Sequence, residues 1–527
     1  MKQIVRKLVM SIFMLWTFIS ASAYDLEVDG LYYNIISIPD KTCALAHGDN
    51  AYSGVIEIPN AILVNGRCLD VVKIDKFTFI KGDSILELTI PSSITEIEGR
   101  AFDYEAYIGK LNIPYGGTLE IKGILDSVIK EFYFDRPMSG FGCFRSAVEK
   151  ITIGTHIRSL SNEIFSGLNL KCLHIKDSTH PITINNGVFY RCTLQNVYIG
   201  RNFQSENQFP PFYYKEIEHL ILGENVTVLL PESFKECSKL TSVEFFGIEE
   251  IGEEAFRDCI RLNTPVFPNS IKNIGSLSFF NCDSITTVVI DSDAELHIGS
   301  GAFESCTSLK SIEIDGKIVN IDGRAFKNCA NLSSITLGEG VESINSSAFS
   351  RCQSLNEIVL PNNLKKIGNR AFEECNNLKK VTFGNNLEKI GEEAFKNVDL
   401  DSIKISSIVP PTIDGSTFSN KTYMNCVVVV PTESVTVYGS SAGWKNFWNI
   451  EGYDFTSLDD TILNETAIAI TVEDGAIRIL QKDEEAIVRV FNIQGTIIAE
   501  TTNDVIDNLS NGIYIVTVGE KSYKVKI

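Results

Sequence analysis

Thirteen cysteines and six histidines are the side chains here that could do chemistry unaided, as zinc ligands, disulfides or nucleophiles. Their spacing argues for something plainer. Cys192, Cys237, Cys259, Cys282, Cys306, Cys329, Cys352 and Cys375 each follow a phenylalanine by three residues. Phenylalanine itself returns at 234, 256, 279, 303, 326, 349, 372 and 395, in steps of 22 to 24. If the copies stack, equivalent positions lie about 4.8 Å apart with nearly parallel Cβ vectors, a poor geometry for a disulfide. The spacing therefore predicts a ladder of buried free thiols that behave as small hydrophobes.

The other chemical candidates are weaker. His47, His156, His174, His180, His219 and His297 are scattered, with no cysteine or carboxylate at metal-site spacing. Asp291 to Glu295 opens like a calcium loop, but Leu296 stands where glycine is required and Ala302 where a bidentate glutamate is required. A solvated turn is expected there. Gly338-Glu339-Gly340 is half of a phosphate fingerprint and reads as another turn. No HExxH motif occurs. The sequence points to no enzyme, no catalytic residue, no metal and no cofactor.

A fixed period of this length is the mark of a solenoid, in which each coil buries its apolar face on its neighbours. In the coil of Phe349 the inward set should be Val341, Ile344, Ala348, Phe349, Cys352, Leu355, Ile358 and Leu360. Leu355, Ile358 and Leu360 include the alternation of a short strand, and Ala348-Phe349 suits a helical or 3₁₀ turn. Four residues before each phenylalanine stand Gly252, Gly275, Gly299, Gly323, Asn345, Gly368 and Gly391. Gly and Asn enter positive φ at little cost, so a left-handed turn is expected at that position. Copies at Phe79 and Phe102, weaker ones near Leu125, Phe144, Phe165, Phe189 and Phe212, and a last one near Phe418 bring the total to about sixteen coils. Pro265 falls on an inward strand position and should interrupt the ladder.

The flanks differ from the repeats. Residues 1–23 combine Lys2, Arg6 and Lys7, an apolar run, and Ala21-Ser22-Ala23, the pattern of a secretory signal peptide; the run is too short to span a membrane comfortably. Residues 24–76 alternate in strand fashion and suit a β-hairpin cap, with an independent binding module as the alternative. The repeats then occupy 77–426, a terminal cap 427–455, and a chain of about seven short strands 456–527, read as a small β-sandwich. Composition is that of a folded protein, with 44% hydrophobic and 22% charged residues. The net charge of −20 disfavours nucleic acid and anionic lipid as partners. No later run is apolar enough for a transmembrane span.

The recurring IGxxAFxxCxxLxxIxI pattern over about 79–418 resembles the BspA-like, Treponema pallidum-type leucine-rich repeats. Residues 427–452, with Pro431, Tyr438, Trp444 and Phe447, are similar to the terminal unit of such arrays. The pieces VRVFNIQGTII and LSNGIYIVTVGEKSYKVKI resemble the carboxy-terminal sorting domain of type IX secretion cargo in Bacteroidota. These resemblances imply a mainly β leucine-rich repeat solenoid with short helical turns, export to the outer-membrane surface or beyond, and adhesion to a host extracellular or bacterial surface protein.

Binding would fall to strand residues between the core positions. These are Thr241, Ser242 and Glu244; Lys310, Ser311 and Glu313; Ser333, Ser334 and Thr336; Asn356 and Glu357; and Lys379, Lys380 and Thr382. All are expected to face solvent on one mixed, polar sheet. The alternative ligand is a glycan, for which Phe209, Phe212, Tyr213 and Tyr214 would supply a stacking platform. Trp444, Phe447 and Trp448 are expected to seal the last coil.

Overall fold

The computed structural model describes residues 24–80, 83–102, 106–123, 128–141, 148–160, 164–185, 187–204, 210 and 212–455. Beyond these it describes 469–473, 476–480, 487–492, 497–503, 505–507, 509, 513–518 and 521–526. The signal-like segment 1–23, the copies near Leu125 and Phe144, and Phe209 lie outside the described residues. The chain divides into two compact units: residues 1–176 with 182–194, and residues 177–181 with 195–527.

The first unit opens with β1 (Leu26–Val28), β2 (Leu31–Ser37) and β3 (Thr42–Ala46), joined antiparallel as a meander. β4 (Ser53–Glu57) leads through β5 (Ala61–Val64) to β6 (Arg67–Ile74), which pairs antiparallel with β5 and parallel with β3. From β7 (Ser84–Thr89) onward every ladder in this unit is parallel among the described strands. One sheet runs β4, β7, Tyr107–Ile113, Val128–Phe134, Lys150–Ile153 and Asn169–Ile175. A second collects β6, Glu96–Ile97, Leu119–Gly123 and Met138–Phe141.

The second unit repeats this arrangement more regularly. Most coils contribute a strand of about four residues to one sheet and a two-residue strand, such as Lys366–Ile367, to another. The sequence reading missed that second strand because two residues are too few for a period to show. All eight residues assigned inward in the coil of Phe349 are buried. The phenylalanine rings stack at 5.2–5.5 Å from Phe279 to Phe418, nearly parallel throughout. The eight ladder cysteines are buried and unbridged. Each thiol donates to the carbonyl of the phenylalanine one coil back, as Cys329 Sγ does to Phe303 at 3.2 Å.

Two expectations about the coil turn are corrected. Phe349 lies in a series of tight turns rather than a helix. Positive φ does not fall four residues before the phenylalanine but two before and two after it, at Ser347 (58°) and Arg351 (65°) for that coil. Amides of Ser347, Phe349 and Arg351 donate to Asn369, Ala371 and Glu373 of the next coil, while those of Ala348, Ser350 and Cys352 close turns within their own. Left-handed residues at both flanks let alternate amides point in alternate directions, so none is left unpaired. The glycine is needed for room. A Cβ at Gly275 would lie 2.7 Å from the backbone of Gly252 and Glu253 in the preceding coil.

Pro265 does interrupt its sheet: its coil keeps a single bridge, Val266 to Glu244. The stretch expected to be a solvated turn, Asp291 to Glu295, is instead the middle of a long strand, Thr287–Ile298, paired with Ser311–Ile321. Ser292 is buried there and donates to the Ile271 carbonyl at 2.6 Å, which holds the segment extended. After residue 468, a three-stranded and a four-stranded antiparallel sheet share one buried cluster that includes Ile477, Ile479, Val488, Val490, Val516 and Val518.

Candidate functional site

The strand residues expected to face solvent form columns, because parallel strands in register set identical offsets side by side. Ser311 pairs with Thr287 on one side and Ser334 on the other; Glu313 lies beside Thr336, and Glu357 beside Lys380. Lys310, Thr336, Asn356, Glu357 and Lys380 are exposed. Thr241, Ser242, Glu244, Glu313, Ser333, Ser334, Lys379 and Thr382 are half-buried. Ser311 contradicts the expectation, being only 8% exposed, since a short side chain flanked by Thr287 and Ser334 has little left for water. The interrupted coil of Pro265 separates Thr241, Ser242 and Glu244 from the rest, so the structure does not gather all fourteen into one surface.

The aromatic platform also fails as drawn. Phe212 is fully buried and stacks on Phe234 at 5.4 Å, as one more rung of the core. Tyr214 is 61% exposed, but its ring stands at 88° to that of Tyr213, edge to face. Trp444 and Phe447 are buried against Phe418, and Trp444 Nε1 donates to the Pro411 carbonyl at 2.7 Å. Trp448 departs from the expectation: it is 74% exposed and does not help seal the coil. Among the histidines, His156 Nδ1 lies 2.8 Å from Asp135 and His297 Nε2 lies 3.4 Å from Asp322. Among the described residues no group of three or more His, Cys, Asp or Glu could hold a metal ion.

A recess not apparent from the sequence lies on the sheet of the first unit that starts at β4 and β7. A cleft of about 460 Å³ is lined by Thr89, Asn112, Glu131, Tyr133, Lys150 and Lys176, among others. Register builds it. Glu87, Lys110, Glu131 and Lys150 make one column, and Thr89, Asn112, Tyr133 and Thr152 the next. Charges alternate along the first column and pair within it, Lys110 to Glu87 at 2.9 Å and Lys150 to Glu131 at 3.1 Å. Hydrogen bonds from Lys110 and Asn112 hold the Glu87 carboxyl below its ordinary range. Lys176 has no carboxylate partner among the described residues; its ammonium lies 4.6 Å from the centre of the Tyr133 ring. Burial, with the nearby Asp135 charge, raises the Tyr133 phenol. The cleft thus offers one aromatic face, a cation not neutralised by a neighbour, and hydroxyl and amide groups, within a frame of mutually satisfied charges. The signal was present in the strands YIGKLNI and VIKEFYF, whose outward positions are Lys110, Asn112, Glu131 and Tyr133. It was hidden because these coils lack the regular spacing that fixes which residues face out.

Residues 34–124, 140–247, 210–296, 231–356, 296–427 and 342–466 match the family described as the BspA type leucine rich repeat region. Among solved structures, the chain is similar to a leucine-rich repeat protein from Bacteroides ovatus, at 24% identity and a TM-score of 0.40, covering 72% of this chain and 94% of that one. It is also similar to the Treponema pallidum leucine rich repeat protein, at 28% identity and a TM-score of 0.28, over 33% and 83% of the two chains. A leucine rich cell surface protein from Faecalibacterium prausnitzii is 16% identical, with a TM-score of 0.24 and coverage of 72% and 94%. No curated protein matches.

Proposed function

Because the chain belongs to the BspA-type leucine-rich repeat family, we propose that it is an exported, non-enzymatic adhesin that uses its parallel sheet to dock a protein on a host or bacterial surface. In this reading residues 1–23 direct export, 24–76 and 427–455 cap the coils, and 456–527 serve translocation or attachment. The observation that carries it is the recess around Tyr133. An aromatic ring beside a cation without a carboxylate partner, framed by self-paired charges, suits a protein anchor, for which aromatic contacts such as those of Tyr at a desolvated centre supply much of the energy. Glycan capture is less well supported, because Phe212 and Trp444 are buried and the Tyr213 and Tyr214 rings are not coplanar.

The test is a binding screen of the full chain against extracellular-matrix proteins, bacterial surface proteins and polysaccharides, repeated with Tyr133→Ala and Lys176→Ala. A protein ligand is expected, with binding weakened by about tenfold or more in the double variant and thermal stability unchanged. Retention of polysaccharide with failure of every protein would reverse the reading. No helix among the described residues is long and apolar enough to cross a membrane, so surface attachment would rest on another element.

A further inference from the structure

The first unit contains a second recess, away from the sheet face. It is a groove of about 710 Å³ between the β1–β2 hairpin and the run from β4 to β5. That volume lies within the ~300–1,000 Å³ range of formed ligand clefts. Three observations bear on what it takes. β4 is the terminal strand of its sheet and has β7 as its one partner among the described strands, so its other edge presents backbone N–H and C=O groups to no described strand. Val55 on β4 and Leu63 on β5, both lining the groove, are 65% and 70% exposed. Tyr33 also lines it and is fully buried, yet its phenol oxygen has no hydrogen-bond partner.

Each of these carries a cost in the free protein. A buried hydroxyl without a partner costs on the order of 1–3 kcal/mol. An open strand edge invites pairing, and natural sheets usually blunt it with lysine, proline, a bulge or a covering element. β4, Ser-Gly-Val-Ile-Glu, contains neither lysine nor proline; its irregularity is a register shift against β7 between Gly54 and Val55.

We infer that the groove is a docking site for one extended segment of another polypeptide, which adds a strand to the open edge of β4. The added strand would bond the free backbone groups of β4, lay alternate apolar side chains against Val55 and Leu63, and give Tyr33 an acceptor. The occupant follows from the chemistry of the edge. Only a backbone supplies donors and acceptors at strand spacing, and only alternate side chains can meet two apolar residues across it. The site is distinct from the Tyr133 cleft and does not depend on it.

The test selects linear nonapeptides from a random display library against the full chain, then measures their affinity in solution. Peptides with alternating apolar residues are expected to bind and to slow amide exchange at Val55 and Glu57. The Val55→Lys, Leu63→Lys double variant, altered at exposed positions, should bind them about tenfold or more weakly with the same melting temperature. Methylating alternate backbone amides of the peptide should weaken it as much. Tyr33→Phe should lose about fivefold, one hydrogen bond, and it leaves the ring and so the fold in place. Tyr133→Ala should change nothing, which separates this site from the sheet-face reading. Enrichment of no peptide, or of peptides that bind the double variant or the methylated form undiminished, would overturn the assignment. Concentration-dependent self-association abolished by the double variant would assign the edge to a second copy of the chain and overturn it equally.

Discussion

The regular coils of the second unit and the divergent coils of the first use one backbone plan for different ends. From Phe279 to Phe418 the rings lie within 11° of parallel between successive coils, and the thiols behind them form a continuous buried column. Surface pairs such as Lys365–Glu342, Arg351–Glu374 and Arg370–Glu393 all join residues 23 apart, so the charges repeat as faithfully as the core. In the first unit Phe134 and Phe165 are tilted by 52° at 5.8 Å, and the sheet carries Glu, Lys, Tyr, Thr and Asn in unlike columns. Both recesses described above lie there. Identical coils present identical rows and leave little to recognise. A recess needs neighbours of unequal size, so repetition supplies rigidity and departure from it supplies a site.

The largest expected break between the two regions is alkaline. Burial raises the thiols of Cys237 and Cys306 to about 12 and holds those of Cys259, Cys282, Cys329 and Cys352 well above their ordinary value of 9.0. Folded, they keep their protons where the unfolded chain has lost its own. Their stabilisation is complete below pH 9 and is lost as pH rises from 9 toward the raised folded values. Each thiol subtracts about 1.4 kcal/mol per pH unit in that window. Six together should unfold the regular coils within a unit or two above pH 9. Hydrogen exchange mapped along the chain at pH 8 to 10.5 should show residues 234–375 opening steeply. An equal response in both units would remove the distinction.

Next in size is the ring column itself. Phe303→Ala and Phe165→Ala both empty a fully buried site and should each cost about 3–5 kcal/mol. Phe303 should lose roughly 1 kcal/mol more, since it stacks squarely on Phe279 and Phe326, whereas Phe165 is tilted by 52° against Phe134. Local opening free energies from native-state exchange would measure the difference, and the reverse order would mean that ring alignment carries no energy. A smaller effect separates two glycines. Gly275→Ala should cost about 1–3 kcal/mol by overpacking, because its new methyl meets backbone at 2.7 Å. Gly117→Ala, with nothing within 4 Å, should be close to neutral in denaturant unfolding.

These contrasts also mark how far the amino-acid sequence could be read. The inward residues of the Phe349 coil, the free thiols and the break at Pro265 were legible because burial at a fixed period leaves a compositional trace. The recess at Tyr133 was not, since it depends on which unlike side chains meet across strands in coils whose spacing drifts. Ser311 looked exposed because alternation reports the direction of a side chain and not the width of its neighbours. The glycine column is plain in the sequence, but its cause is not. Close approach between coils and left-handed φ both select glycine, and only coordinates tell them apart.

The subtlest expected effect turns on that distinction. Two residues after the phenylalanine, coils such as those of Phe165 and Phe303 carry a left-handed residue whose amide reaches the next coil. The first unit uses Gly167 there, at φ 76°, with its amide 2.8 Å from the Tyr190 carbonyl. The regular coil of Phe303 uses Ser305, at φ 65°, with its amide 2.8 Å from the Lys327 carbonyl. The two positions therefore make the same bond in the same conformation with different residues. A side chain in this region costs about 1–2 kcal/mol, against which glycine loses about 0.5–1 kcal/mol of unfolded-state freedom. Ser305→Gly should stabilise its coil by up to about 1 kcal/mol, and Gly167→Ser should destabilise its own by a similar amount. Space is not at issue for the second, since a Cβ at Gly167 meets nothing within 4 Å. Opposite signs in urea unfolding would show that the regular coils tolerate strain at this turn because their stacking is strong enough to hold it. If both changes destabilise, the turn at Ser305 is held by its side chain and not imposed by the bonds to the next coil.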